Sequence, residues 1–184
     1  MKKLAAIMLI MLSGSSFAEN YSLKPGLWEV KQIRQVFDGQ DMSAQMAAAQ
    51  TQMQQAMANM SPALRKQIKS RMGSQSVGAG GGLRICISPA MAARNRPMVD
   101  AKGRCEPAKV SHRGNSTHFE FNCTVDGRTS VGKGESVASG DTVTTRMDMS
   151  VTDARGHHTI HSESQMKYLG PDCEGIKPAD QLAR

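Results

Sequence analysis

Apolar and polar residues alternate with a period of two through much of the second half of the chain. In residues 117–125, Phe119, Phe121 and Val125 stand at odd positions, and the even positions are polar. Residues 142–151 repeat the pattern, again with the apolar side chains at odd positions. A period of two sends alternate side chains to opposite faces of a strand, so each run predicts a strand with one face in the core.

Turn signals separate these runs. Asp126-Gly127 is the strongest, because a type I′ turn needs positive φ at both central positions. Further signals lie at residues 113–115, 139–140 and 153–156, which gives a spacing of roughly twelve residues after Cys105. The spacing predicts a meander of five antiparallel strands. Its last strand, residues 157–169, is the most polar and is expected at an edge.

Two further strands precede the meander. Residues 27–37 form a long run whose apolar face switches midway, which predicts a β-bulge. Residues 83–87 form a short run, followed by Ser88-Pro89, a pair that favours the start of a helical turn. Within the meander, Gly132 and Gly134 share one strand face and predict a sharp curl or a close approach of another backbone.

A helical insertion separates the first two strands. Residues 41–72 are rich in Ala, Gln and Met, which favour helix, and the Gly/Ser-rich residues 73–82 predict a flexible linker. We therefore predict one mainly β domain over residues 19–184. It consists of a curved antiparallel meander sheet or partly closed barrel of about seven strands, with a Met-rich α-helical insertion.

The insertion carries an apolar stripe made largely of methionine. Met46, Met53, Met57 and Met60 fall at helical spacings and share one face. Spacing alone leaves three interpretations open. A stripe packed on the sheet is favoured by the thin core, and an adaptable docking face is favoured by the flexible thioethers. The third is a Cu(I) site, since Met53, Met57 and Met60 at i, i+4 and i+7 could point three soft sulfurs at one ion.

The first eighteen residues have the features of a cleavable secretory signal. Lys2 and Lys3 precede an apolar run, and a small-x-small tripeptide ends at Ala18. The apolar run is about half the ~20 residues that span a bilayer, so no transmembrane segment is expected after cleavage. We expect a periplasmic chain that starts at Glu19.

The charge of this chain is modest. Removal of the two signal lysines leaves 21 of the 23 Lys and Arg residues against 16 Asp and Glu. The basic residues form no stripe with interleaved aromatic residues, so the composition does not favour nucleic-acid binding.

Four cysteines in an exported chain predict two disulfides. A three-residue loop at residues 113–115 would set Cys105 opposite Cys123. The same register would move Val110 off the apolar face of the next strand, because a slip of one residue exchanges the two faces. We therefore predict the pairs Cys86 with Cys105 and Cys123 with Cys173.

The sequence does not predict an enzyme or a cofactor. The spacing of the histidines and cysteines matches no zinc motif, and no nucleophile elbow is found. His157 and His161 would lie about 13 Å apart on a strand, too far to share one ion. Trp28 is the only tryptophan, and it is expected as a core anchor rather than as a platform for ligand stacking.

Five short segments resemble a known family. They are PGLWE at residues 25–29, CISP at 86–89, GKGE at 132–135, SGD at 139–141 and LGPDC at 169–173. Together they are similar to a family of small exported Gram-negative proteins that is catalogued as a domain of unknown function. The resemblance implies a periplasmic β-rich domain and supplies no catalytic residue, cofactor or substrate.

We predict a non-enzymatic periplasmic binding or interaction module, on the basis of the glycine-bent sheet, the linker and the adaptable methionines. Its Met-rich arm would cover an apolar sheet face, and its partner would be an unknown protein or an apolar small molecule. A copper-handling protein is the alternative. The candidate binding residues are Met46, Met53, Met57, Met60 and Trp28.

Overall fold

The computed structural model describes residues 23–64, 67, 76–77, 81–94, 96–97, 105 and 107–181. The predicted signal peptide, residues 1–18, and parts of the predicted insertion and linker lie outside them. The strands are β1 (Gly26–Phe37), β2 (Gln40–Asp41), β3 (Ser76–Val77), β4 (Leu83–Ile87), β5 (Lys109–Arg113), β6 (Ser116–Val125), β7 (Arg128–Ser139), β8 (Thr142–Asp153) and β9 (Gly156–Gly170). The helices are α1 (Ser43–Ala58) and α2 (Pro89–Arg94), and a 3₁₀ turn spans Ala179–Gln181.

The strands form one antiparallel sheet, so the predicted fold class is confirmed. Its order is β3-β4-β1-β9-β8-β7-β6-β5, with β2 paired to the end of β1, and across the described residues it does not close into a ring. All seven predicted strands are present. The two that were not predicted, β2 and β3, are two residues long and leave no periodic pattern.

The meander follows the predicted turns. Asp126 and Gly127 have φ of 51° and 74°, as a type I′ turn requires. The edge position expected for the last strand is wrong, because β9 pairs with β1 on one side and with β8 on the other. The polar composition of β9 therefore has a different cause, which depends on what each face of the sheet contacts.

The strand register defines two faces, because residues paired directly across antiparallel strands carry their side chains on the same side. We call the side that carries Trp28, Phe119 and Phe121 the inner face, since these side chains are at most 3% exposed. The outer face carries mostly charged and polar residues, among them Glu120 and Arg146.

Two apolar clusters occupy the inner face. The first is built on Trp28 and Ile87, and α2 contributes Ala92 to it. Trp28 is fully buried, and its indole N–H donates to the Lys24 carbonyl at 2.9 Å, which fits the core anchor that the sequence predicts. The second cluster is built on Phe119 and Phe121.

The predicted bulge lies in β1. The pairing of β1 with β9 shifts register between Gln32 and Arg34, which leaves Ile33 51% exposed. The Gln32 side-chain amide donates to the Arg34 carbonyl at 2.7 Å and to the Glu163 carbonyl at 3.1 Å. The amide thereby compensates the backbone groups that the bulge releases from the ladder.

The predicted disulfide pairing is wrong. The bonds join Cys86 to Cys173 and Cys105 to Cys123, with Cα–Cα distances of 5.5 Å and 5.7 Å. A change of strand register would be needed only if Cys105 lay within a strand. Because β5 starts at Lys109, Cys105 lies before the strand and bonds to Cys123 of β6 in the observed register.

The helix α1 stands apart from the core. None of its residues is buried, and Met46 and Met53 are 41% and 46% exposed. The interpretation that the methionine stripe packs on the sheet is therefore wrong for Met46 and Met53, whereas Met57 and Met60 are half-buried. Among the described residues, hydrogen bonds attach the helix to β1 and to the segment that precedes β4. Met42 N–H donates to the Gln35 carbonyl, Gln35 N–H donates to Ser43 Oγ, and the Gln50 amide donates to the Gly81 carbonyl.

Candidate functional site

A cavity of about 440 Å³ lies on the inner face. Its walls include Leu83 of β4 at one end and Phe119 of β6 at the other, with contributions from every strand between them in the sheet. Five strand spacings would separate these residues by roughly 24 Å in a flat sheet. The sheet must therefore curl around the cavity, which has a volume typical of small-molecule sites.

A row of polar side chains crosses the floor of this cavity. Each member is paired in register with the next across a neighbouring strand, so all of them lie on the inner face. The row consists of Gln32 in β1, Ser164 in β9, Thr145 in β8, Ser136 in β7 and Thr117 in β6.

The hydroxyls of this row differ in their partners. Ser136 and Thr145 share a hydrogen bond of 2.8 Å, and Thr117 is bonded to His112 Nδ1 at 3.0 Å. Ser164 of the row is half-buried, and so is Ser162, which lines the cavity two residues earlier on β9. Among the residues that the structure describes, neither of these serine hydroxyls has a hydrogen-bond partner. Two donors are thus available on the cavity floor.

The walls on the two sides of the row are apolar. Val30, Val143 and Met166 lie on the side of the Trp28 cluster. Phe119 and Met147 lie on the side of the second cluster. The polar composition of β9 is explained by this arrangement, because its inward serines form the floor of a cavity rather than an exposed edge.

The outer face is built from charges that alternate across the strands. In register, one row reads Lys109, Glu120, Lys133, Asp148 and His161. A second row reads His118, Glu135, Arg146, Glu163 and Arg34.

Several neighbours in these outer rows form ion pairs or hydrogen bonds. Lys109 Nζ lies 2.8 Å from Glu120, and this contact lowers the pKa of Glu120 and raises the pKa of Lys109. His161 Nδ1 lies 2.7 Å from Asp148. A wide open groove of about 900 Å³ runs beside the first row. Because opposite charges there already face each other, this groove is a weaker candidate for a site than the inner cavity.

A small cluster fixes the turn that precedes α1. Asp38 has a φ of 48°, and its carboxylate accepts hydrogen bonds of 2.7 Å from His158 Nδ1 and from the Thr159 N–H. The His158 contact is the main reason that the pKa of Asp38 lies below its usual value. The ring of Phe37 stacks on His158 with centroids 5.0 Å apart. These contacts attach the turn to β9.

The structure does not bring the predicted binding residues together in this cavity. Met46 and Met53 lie on exposed parts of α1, Met57 is half-buried, and Met60 follows the end of the helix. Trp28 belongs to the adjacent core cluster and does not line the cavity. His112 and His118, which flank the turn between β5 and β6, lie on opposite faces, because His112 pairs with Thr117 and the side chain of the next residue points the other way.

Sequence reasoning missed the polar row because strand register alone assembles it. One signal was present: Thr145 interrupts the apolar odd positions of β8 between Val143 and Met147. A polar residue at a core position indicates either a partner or a cavity.

The residues that the structure describes include no group of three or more His, Cys, Asp or Glu side chains placed to hold a metal ion. None of their helices has the length and apolar character needed to cross a membrane.

Residues 23–173 match the family model described as "Protein of unknown function (DUF3617)". This range includes every strand of the sheet. No curated protein and no solved structure matches the chain significantly.

Proposed function

The chain belongs to the DUF3617 family, and we propose that it is a non-enzymatic periplasmic binding module that holds an apolar small molecule in the inner cavity. The observation that carries the proposal is the cavity itself, which six adjacent strands line with apolar side chains and uncharged hydroxyls. Burial of a ligand there is favourable by roughly 25 cal/mol per Å² of apolar surface.

The periplasmic location is supported by two kinds of observation. The two disulfides are compatible with an oxidising compartment outside the cytoplasm. The N-terminal residues have the pattern of a cleavable signal.

The Met-rich arm, residues 41–72, is the second part of the proposal. Its helix α1 leaves Met46 and Met53 exposed, so these flexible side chains are available to an apolar partner. Gln50 contacts Gly81, which precedes the cavity residue Leu83 by two positions. The middle of α1 therefore lies close to the β4 end of the cavity lining, and the arm would cover the cavity when a ligand is bound.

The uncharged fluorescent probe N-phenyl-1-naphthylamine tests the cavity. The full chain is expressed with its signal in a Gram-negative host, purified from the periplasm, and titrated with the probe. Thr145→Met fills the cavity, whereas Thr144→Met is a matched control because Thr144 pairs with Val137 and Gln165 on the outer face. We expect Thr145→Met to weaken probe binding about tenfold or more and Thr144→Met to leave it unchanged.

Far-ultraviolet circular dichroism and urea unfolding establish that both variants fold. Ser164→Leu, with Gln165→Leu as its outer-face control, repeats the comparison on β9. Equal binding by all the folded variants, or no binding by the wild-type protein after removal of co-purified molecules, would overturn the proposed function.

Copper binding is a second proposal, since Met53 and Met57 lie one turn apart on a helix that buries none of its residues. Replacement of Met53, Met57 and Met60 by Leu should then abolish Cu(I) binding in competition with a chromogenic chelator. Unchanged Cu(I) affinity in this variant would exclude the site.

A further inference from the structure

The inner cavity places its hydrogen-bonding groups in the middle of an apolar surface. Ser162 and Ser164 stand two residues apart on the central strand β9. Ser164 pairs in register with Thr145, which is bonded to Ser136. Met166 follows this group along β9, and Met147 and Phe119 stand in the same register row as Ser162.

The cavity also differs from the rest of the sheet in charge. Arg96 is the one charged side chain among the described residues that line it, and this residue is exposed and has an interaction partner already. The remaining lining side chains are apolar or carry hydroxyl or amide groups. A buried carboxylate or ammonium without a counter-charge is strongly disfavoured, so these walls select against a charged ligand.

The available hydroxyls define what the ligand must offer. A half-buried hydroxyl with no protein partner gains a hydrogen bond when an oxygen of the ligand reaches it. A purely apolar ligand would instead displace water from Ser162 and Ser164 and leave both hydroxyls unsatisfied. The best match carries an oxygen that coincides with the polar row.

On the basis of the proposed function, we infer that the natural ligand is an uncharged lipid with a hydroxyl or ester oxygen inside an otherwise apolar chain. The oxygen would bond to Ser164 or to Ser162, beside the Ser136–Thr145 pair. The hydrocarbon on either side would contact the two apolar walls. A fatty acid does not fit this pattern, because its carboxylate is charged and lies at the end of the chain.

Four compounds with the same carbon chain length test this inference: pentadecan-8-ol, pentadecan-1-ol, pentadecane and pentadecanoic acid. Each is titrated against the wild-type protein with bound N-phenyl-1-naphthylamine, and displacement is read from the loss of probe fluorescence. We expect pentadecan-8-ol to displace the probe at a concentration about two- to tenfold below that of the other three, because a neutral hydrogen bond supports a ratio of this size.

Removal of the hydroxyls should remove the preference. The Ser162→Ala, Ser164→Ala double variant should bind pentadecane as well as before and lose its preference for the mid-chain alcohol. Ser150→Ala is the matched control, because Ser150 is a half-buried serine that pairs with Val131 and Thr159 on the outer face.

The outcomes separate this inference from the proposed function. Equal displacement by the alkane and the mid-chain alcohol, tightest binding of pentadecanoic acid, or a preference that survives in the double variant would overturn the ligand class. In those cases, displacement of the probe from the cavity would still support the proposed binding module. Binding of the probe outside the cavity would overturn both the ligand class and the proposed function.

Discussion

Two glycines determine how closely β7 approaches its neighbours. Gly132 and Gly134 pair with Phe121 and Phe119 of β6, and the phenyl rings lie over the glycine backbones. A Cβ at Gly132 would lie 2.6 Å from the Asp148 carbonyl oxygen, a backbone atom that cannot move freely. The absence of a side chain at these positions lets the aromatic rings fill the inner face, as aromatic residues do over glycines in strongly curved sheets.

Gly132→Ala should destabilise the fold. We expect the free energy of unfolding to fall by about 1–3 kcal/mol, because the new methyl group overpacks against Phe121 and the β8 backbone. Urea unfolding measures the change. Ser130→Ala, at a half-buried position on the same strand and face, should change it by less than about 0.5 kcal/mol. Equal stabilities of the two variants would contradict the role assigned to Gly132.

A single carboxylate fixes the start of α1. The contacts with Ser43, followed by the Arg34 guanidinium, lower the pKa of Asp41 to about 2. The Ser43 N–H donates to Asp41 Oδ1 at 2.9 Å, and Arg34 Nε donates to Oδ2 at 3.1 Å. Because the folded-state pKa is depressed, the stabilisation is fully present above the ordinary pKa near 4 and is lost as the pH falls through about 2.

We therefore expect the Asp41 carboxyl to titrate near pH 2 in the folded protein, well below its ordinary value. Carbon-detected NMR measures this directly. Ser43→Ala should raise the pKa of Asp41, because Ser43 supplies the largest contribution to the shift. An Asp41 carboxyl that titrates near pH 4 in the wild-type protein would contradict the contacts described for this residue.

At the scale of elements, α1 shows how periodicity can mislead. The methionine spacing correctly indicated a helix, but the same spacing suits a core stripe, a docking face or a metal site. Burial separates these cases, and no residue of α1 is buried. The β9 strand shows the converse, since its polar composition indicated an edge and instead faces a cavity at the centre of the sheet.

Met46→Gln together with Met53→Gln should leave the free energy of unfolding unchanged within about 0.5 kcal/mol. Both side chains are more than 40% exposed, so little apolar burial is lost. The matched comparison is Met147→Gln, which places an amide in the second apolar cluster and should cost several times more. A large loss of stability in the α1 variant, measured by urea unfolding, would show that the helix packs on the sheet after all.

At the scale of the whole molecule, the two disulfides constrain different lengths of chain. Cys86–Cys173 spans 87 residues and connects β4 to the C-terminal segment, whereas Cys105–Cys123 spans 18 residues beside the second cluster. The described residues of the inner face form two modest apolar clusters, so the fold depends on such constraints more than a domain with a large core does.

Replacement of both Cys86 and Cys173 by Ala should therefore be the costlier change. In the loop-entropy model it removes roughly 4–5 kcal/mol of stability, against roughly 3 kcal/mol for the Cys105 and Cys123 pair. Urea unfolding of the two double variants gives the order. A non-reducing peptide map of the wild-type protein verifies the pairing beforehand. The reverse order of stabilities would show that loop length does not determine how much each disulfide stabilises the fold.

The sequence by itself determined the strands, the turns, the bulge in β1 and the burial of Trp28. These features depend on local periodicity and on backbone preferences, as the positive φ at Asp126 and Gly127 illustrates. Only the tertiary structure decided the disulfide partners, the exposure of α1 and the site on the inner face. Ser162, Ser164, Thr145 and Ser136 come from three strands, and the register that aligns them follows from pairing across the sheet rather than from any local pattern.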